Sequence, residues 1–229
     1  MIFFDFKKRD NMTLKIYGIA ASRASRPLWV AHELGLDYEH VPVPYQGGAT
    51  RTSEFLAINP NGHIPAIDDN GVLVWESMAC TLYLAERFKA ADGSSLAAQN
   101  SSELADILRW TFWSVTECEK DALTVLMHTV AMPADKRKPL LAEEAIRRLM
   151  VPLAVLEQHL RGTGPAPRPY LAGERFTVAD IAVASILAWV RSAREMLAAY
   201  PCTVEWLERC LKRPAQQQVR ALARTVTTG

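Results

Sequence analysis

The sequence predicts an α/β domain followed by an all-helical one, on three observations. Strand-like and helix-like patterns alternate up to about residue 90, and beyond that only helical patterns remain. The stretch "KAADGSSLAAQN" supplies the polar, small-residue break of a linker. Within "NPNGHIPAIDDNGVLVWES", Pro65 heads a short apolar run, although proline has no N–H to give a sheet ladder and so belongs at a strand's first position, at an edge or at a bend. Residues 1–94 form the first domain, with 1–11 as an extension ahead of the first strand, and residues 95–229 form the second.

Thr13–Tyr17 alternates polar and apolar residues and predicts a strand. A loop leads from it to a helical pattern over Ser25–Leu34, stopped by Gly35, with Ser25 as the expected N-cap and Pro27 tolerated in the first turn. Tyr38–Val43 is the second strand, and a loop and a short helix at Glu54–Ile58 follow. Ile64–Ile67 and Val72–Trp75 flank the turn "DDNG" as an antiparallel hairpin, and Ser77–Phe88 carries Met78, Thr81, Leu82 and Ala85 at helical spacing. In the second domain Ile146, Leu149, Met150, Leu153, Leu156 and Leu160 make the clearest apolar stripe. "FTVADIAVASILAWV" is apolar around most of its circumference and predicts a buried central helix, opened by Thr177 and Asp180 as a capping box. Asp180 is therefore read as structural.

Composition sets the class of partner. With 229 residues, 49% hydrophobic, 22% charged and a net charge of +1, the chain can bury an ordinary core and gives no electrostatic reason to bind nucleic acid or an acidic membrane. "MIFFDF" is interrupted by Asp5 too early for a secretory or spanning segment. Cys80, Cys118, Cys202 and Cys210 show no Cys-x-x-Cys pairing, which suits reduced thiols in a cytoplasmic compartment, and the histidines show no metal-ligand spacing. Cys80 and Cys118 are expected packed in helices.

The order strand, helix, strand, helix, hairpin, helix, with a proline introducing the third strand, is that of the thioredoxin-like fold, whose proline is cis. A cis Ile64–Pro65 bond turns the backbone N–H and C=O of Ile64 outward, where an extended peptide can pair with them as an added strand. Through "INPNGHIPAI" and "VWESMACTLYLAERF", and more loosely through "YLAGERFTVADIAVA", the chain resembles the soluble glutathione S-transferases. The resemblance implies a thioredoxin-like glutathione-binding domain and a helical domain that contributes the site for a hydrophobic electrophile. It also implies detoxification chemistry and a homodimer, the first domain of one chain against the second of the other.

Carried over residue by residue, the resemblance implies that the Ile64 backbone pairs with the cysteinyl unit of glutathione. Glu76 faces its ammonium, and Ser77, at a helix start, offers hydroxyl and N–H to the γ-glutamyl carboxylate. His63 and Arg51 meet the glycyl carboxylate. The loop "AASRASRP" holds two serines, and comparison with theta-like and phi-like serine-type transferases puts Ser22 at the thiol, Ser25 being the other candidate. A free thiol titrates near about 8.5, and only the thiolate is a strong nucleophile. A serine O–H, the positive end of the first helix and Arg23 or Arg26 nearby would favour the anion. With no cysteine in that loop, conjugation is expected rather than thiol exchange. Trp113, with Trp110 and Met127, is the candidate wall of the electrophile pocket. Two rivals are a non-catalytic binding or regulatory protein of the same fold and a specialised glutathione-dependent lyase, dehalogenase, isomerase or peroxidase.

Overall fold

The structure, a computed structural model, describes residues 14–225. The expected extension over 1–11 and the start of the first expected strand at Thr13 lie outside the described residues. The described strands β1 (Leu14–Tyr17), β2 (Tyr38–Val41), β3 (Ala66–Asp69) and β4 (Val72–Trp75) form one sheet in the order β2-β1-β3-β4. β2 runs parallel to β1, while β3 is antiparallel to both β1 and β4. A parallel neighbour needs a crossover, and α1 (Ser25–Leu34) supplies it, ending on Gly35 in the left-handed region. At the β3–β4 hairpin, Asn70 and Gly71 both take positive φ, 57° and 90°, as a tight two-residue turn requires.

Three local expectations are corrected. β2 stops at Val41, because Pro42 cannot donate to the ladder. β3 begins at Ala66, so Ile64 and Pro65 lie in the turn ahead of it. Ser25 is the first residue of α1 rather than its cap: Ala24 precedes the helix, and the Ala24 N–H is taken by the Ser22 hydroxyl at 3.1 Å. Two further helices complete this part, α2 (Ser53–Ile58), capped by Thr52, and α3 (Ser77–Arg87).

α4 (Ser101–Trp113) starts on Asn100, whose side chain accepts the Glu103 N–H at 2.9 Å. It continues through a π-helical stretch, Ser114–Glu119, into α5 (Lys120–Leu126). The α-helices that follow are α6 (Pro139–Arg161), α7 (Val178–Leu187), α8 (Arg194–Ala198), α9 (Pro201–Leu211) and α10 (Pro214–Thr225). Every residue of α7 is buried, as its apolar circumference requires. α6 lays Leu149, Leu153, Leu156 and Leu160 against the core with no exposure. Met150, expected on that stripe, is 45% exposed, because it follows Leu149 by one residue and points about 100° away.

Thr177 and Asp180 form a reciprocal capping box at the start of α7. Asp180 also accepts the Leu171 N–H at 3.1 Å and the Trp206 indole N–H at 2.9 Å, tying a loop and α9 to the central helix. α10 returns to the first domain and packs on α1, where the Arg213 guanidinium meets Glu33 at 2.6 and 2.8 Å and lies 3.9 Å from the Phe176 ring centroid. Such contacts seat the helical bundle against the sheet domain and leave a cleft on one side.

Candidate active site

The cleft has a volume of about 1140 Å³ and is lined from both domains. That is ample for a peptide-sized ligand and a second molecule beside it. Its floor in the first domain comes from the loop after β1, the turn before β3 and the start of α3.

The loop after β1 begins at Gly18 with φ of 121°. A Cβ there would stand 2.9 Å from the Ile64 Cβ, so glycine is what lets Ile64 close over the end of the strand. Ser22 lines the cleft, its hydroxyl donating to the Ile19 carbonyl at 2.7 Å while accepting from Ala24. Ser25 lines it as well. The Ile64–Pro65 bond is cis, and both residues face the cleft. Asn59, buried, donates its amide to the His63 carbonyl at 2.6 Å and so fixes that turn, while the His63 side chain is exposed. Arg51 is bonded to the Asn61 carbonyl at 3.1 Å. It packs so closely over Gly62 that a Cβ there would meet its Nη1 at 2.6 Å.

Glu76 takes φ of 72°, a left-handed conformation that a non-glycine residue holds at a cost of about 1–3 kcal/mol. The strain sits where β4 passes into α3 and delivers an exposed carboxylate to the cleft beside Ser77, the first residue of α3. Ser77 is buried, and its hydroxyl accepts from the Arg26 guanidinium at 2.8 Å. Because a guanidinium can only donate, the Ser77 O–H is left with its own proton to give to an acceptor in the cleft.

Arg26 is the centre of a network that the sequence did not reveal. It is 1% exposed and also donates to Ser185 of α7 at 3.1 Å and to Glu119 at 2.8 Å. Arg23 bonds Glu119 from the other side. Burial alone would raise the Glu119 carboxyl, but Arg26, and then Arg23, more than offset it and hold its pKa below the usual carboxylate range. Of the two arginines expected near the thiol, only Arg23 reaches the cleft. Arg26 lies behind the cleft wall holding Ser77, and Arg23, which does line the cleft, is committed to Glu119. Cys80 and Cys118 are buried, and burial pushes both thiols up to about 12, leaving them inert.

The other wall also departs from expectation. Trp113 does not line the cleft; it packs edge-on against Trp110 with ring centroids 5.0 Å apart, and Trp110 in turn stacks near His159. Trp110 belongs to the interior of the helical bundle, and Trp113 packs half-buried against it. Met127 does line the cleft, and the aromatic there is Trp189, just after α7. Its position at the end of an unbroken apolar helix made it indistinguishable from core by pattern. Among the described residues no group of His, Cys, Asp and Glu side chains could hold a metal ion, and no helix is long and apolar enough to cross a membrane.

Residues 12–86 match the family described as "Glutathione S-transferase, N-terminal domain", and residues 120–214 match "Glutathione S-transferase, C-terminal domain". Glutathione S-transferase 3 of Zea mays is 34% identical over 91% of this chain and 93% of its own length. A crystal structure of a glutathione transferase from Populus trichocarpa is 27% identical, covers 92% of this chain and 99% of its own, and superposes with a TM-score of 0.80. A theta-class enzyme from Xanthomonas axonopodis, solved with glutathione bound, is also 27% identical, over 90% of this chain and 96% of its own, with a TM-score of 0.77.

Proposed function

The chain belongs to the glutathione S-transferase family of enzymes, and from that premise we propose that it holds glutathione along Ile64, Glu76 and Ser77, activates the thiol through Ser22, and directs the thiolate at an apolar electrophile. The division between glutathione-binding and helical domains falls at residues 94/95. One observation carries the reading: Ser22, the Ile64–Pro65 turn and the Glu76–Ser77 pair, from three separate segments, converge on one cleft whose opposite wall carries Leu123, Leu126, Met127 and Trp189. The γ-glutamyl carboxylate meets the Ser77 O–H and the N–H groups opening α3, and the ammonium meets Glu76. Arg51 and His63 stand at the turn where a glycyl carboxylate would lie.

Ser22 turns its hydroxyl proton from the Ile19 carbonyl to the sulfur, exchanging one hydrogen bond for a charge-assisted one, while the Ala24 N–H keeps its oxygen in place. The thiol proton leaves to solvent, and the positive end of α1 favours the anion that remains. In the native enzyme the absorbance of bound thiolate should titrate about one to two pKa units below free glutathione, each unit representing about 1.4 kcal/mol. Ser22→Ala should return the titration toward about 8.5. Survival of the shift in Ser22→Ala and its loss in Ser25→Ala would move the role to Ser25, and an unshifted native titration would favour a binding protein of the same fold.

A homodimer completes the reading. Val72, Leu73 and Trp75 on the edge strand β4 and Leu104 and Phe112 on α4 are large apolar side chains left 41–61% exposed, one set in each domain. Two-fold pairing of β4 from one protomer with α4 of its partner would cover both sets. Phe112→Glu should convert a sedimenting dimer to monomer at micromolar concentration; a native chain already monomeric there would reject the assembly.

A further inference from the structure

The electrophile half of the cleft is basic as well as apolar. Trp189 and Met127 wall it, and two arginines reach the same space, Arg191 just after α7 and Arg220 on α10. Among the described residues neither is paired with a carboxylate in the way that Arg23 is paired with Glu119. Glu208, whose carboxyl is held below the usual range by Lys212 first and by Arg191 last, is bonded to Lys212 at 2.8 Å. Partial burial, and then the like charges of Arg191 and Arg224, press the Arg220 pKa below the usual arginine value.

Four residues before Arg220, on the same face of α10, stands Gln216. It lines the cleft at 7% exposure, and its amide oxygen is buried without a partner. Turning the amide over would place an N–H donor at that position instead. Like charges gathered beside an unsatisfied amide form an arrangement that a bound anion would relieve, and guanidinium forks match a carboxylate in shape. Glutathione does not use them: its γ-glutamyl and glycyl carboxylates are assigned to Ser77 and to Arg51 with His63.

We propose that Arg220, Arg191 and Gln216 form a carboxylate subsite, so that the electrophiles this enzyme prefers are amphiphilic acids whose apolar body lies on Trp189 and Met127. The proposal rests on reading the cleft as a transferase site. The test compares 4-chloro-3-nitrobenzoate with its neutral amide, each conjugation rate divided by the uncatalysed rate with glutathione. The native enzyme should prefer the carboxylate at least tenfold in kcat/KM, and Arg220→Gln and the more exposed Arg191→Gln should each bring that ratio toward one. Equal use of the two compounds by the native enzyme, or a preference unchanged in both variants, would overturn the subsite while turnover of the amide upholds the transferase. No conjugation of either compound, with an unshifted glutathione thiol, would overturn the transferase reading and the subsite together.

Discussion

Glu119→Ala should lower the stability of the protein by about 3–5 kcal/mol, the cost of leaving a buried charge without its partner. The substitution strands Arg26, which is 1% exposed and among the described residues has Glu119 as its only carboxylate, and frees Arg23 at the cleft wall. It should also weaken glutathione binding by at least tenfold, because Arg26 is what orients the Ser77 hydroxyl. Urea midpoints and glutathione titration read the two effects. The double variant Arg26→Met/Glu119→Leu separates them: with both charges gone much of the stability should return, while glutathione affinity stays low. If affinity returned with stability, Arg26 would be packing and not a positioning residue. The ion pair also has a pH signature. Its carboxyl titrates lower folded than unfolded, so its stabilisation is complete above the unfolded value of about 4.3 and is lost as pH falls through the folded one.

Asp180→Ala should be the most damaging change in the helical domain. The carboxylate accepts N–H groups from Thr177, Leu171 and Trp206 at 2.9–3.1 Å in a fully buried site. Each donor left unsatisfied costs about 1–3 kcal/mol, so the sum is a large share of the roughly 5–15 kcal/mol that holds a domain folded. Chemical denaturation should give a loss of at least about 3 kcal/mol. A loss under about 1 kcal/mol would mean that the loop at Leu171 and α9 are held by other contacts. Here the pH dependence has the opposite sign to that of Glu119. Burial raises the Asp180 carboxyl to about 6 against the hydrogen bonds that lower it, so the folded state takes up its proton more readily than the unfolded chain. Its contribution is present below about 4 and is lost as pH rises toward 6. That slope should vanish in the variant.

Elements with strong local signals were legible in the sequence. The hairpin around "DDNG", α1 with its Gly35 stop and the capping box of α7 all rest on residues whose conformational preferences act within a few positions. The site residues of the first domain came from motifs, and the structure brings Ser22, Arg51, His63, Ile64, Glu76 and Ser77 to one cleft. What escaped was set by distant partners. Glu119 lies 93 positions from Arg26 and reads locally as one more acid on an amphipathic helix. Arg26 reads as a surface cation, and its burial depends on Ser77, Glu119 and Ser185 together. Trp113 and Trp189 are equally apolar in pattern and both half-buried against the core, and only the packing of the bundle decides that Trp189 lines the cleft while Trp113 packs on Trp110.

The π-helical stretch Ser114–Glu119 fixes chain length where it does not fix residue identity. Val115, Thr116 and Glu117 face outward, so many side chains fit there without disturbing the bundle. The number of residues is another matter. A π-turn carries one residue more than an α-turn, and removing any one of 115–117 would restore the tighter winding and rotate the two ends of the helix by about 100° relative to each other. Glu119 and α5 could then no longer face Arg26 while Trp110 keeps its place in the core. In this stretch the protein tolerates rewriting but not shortening, and length variation among related chains should stop at its borders.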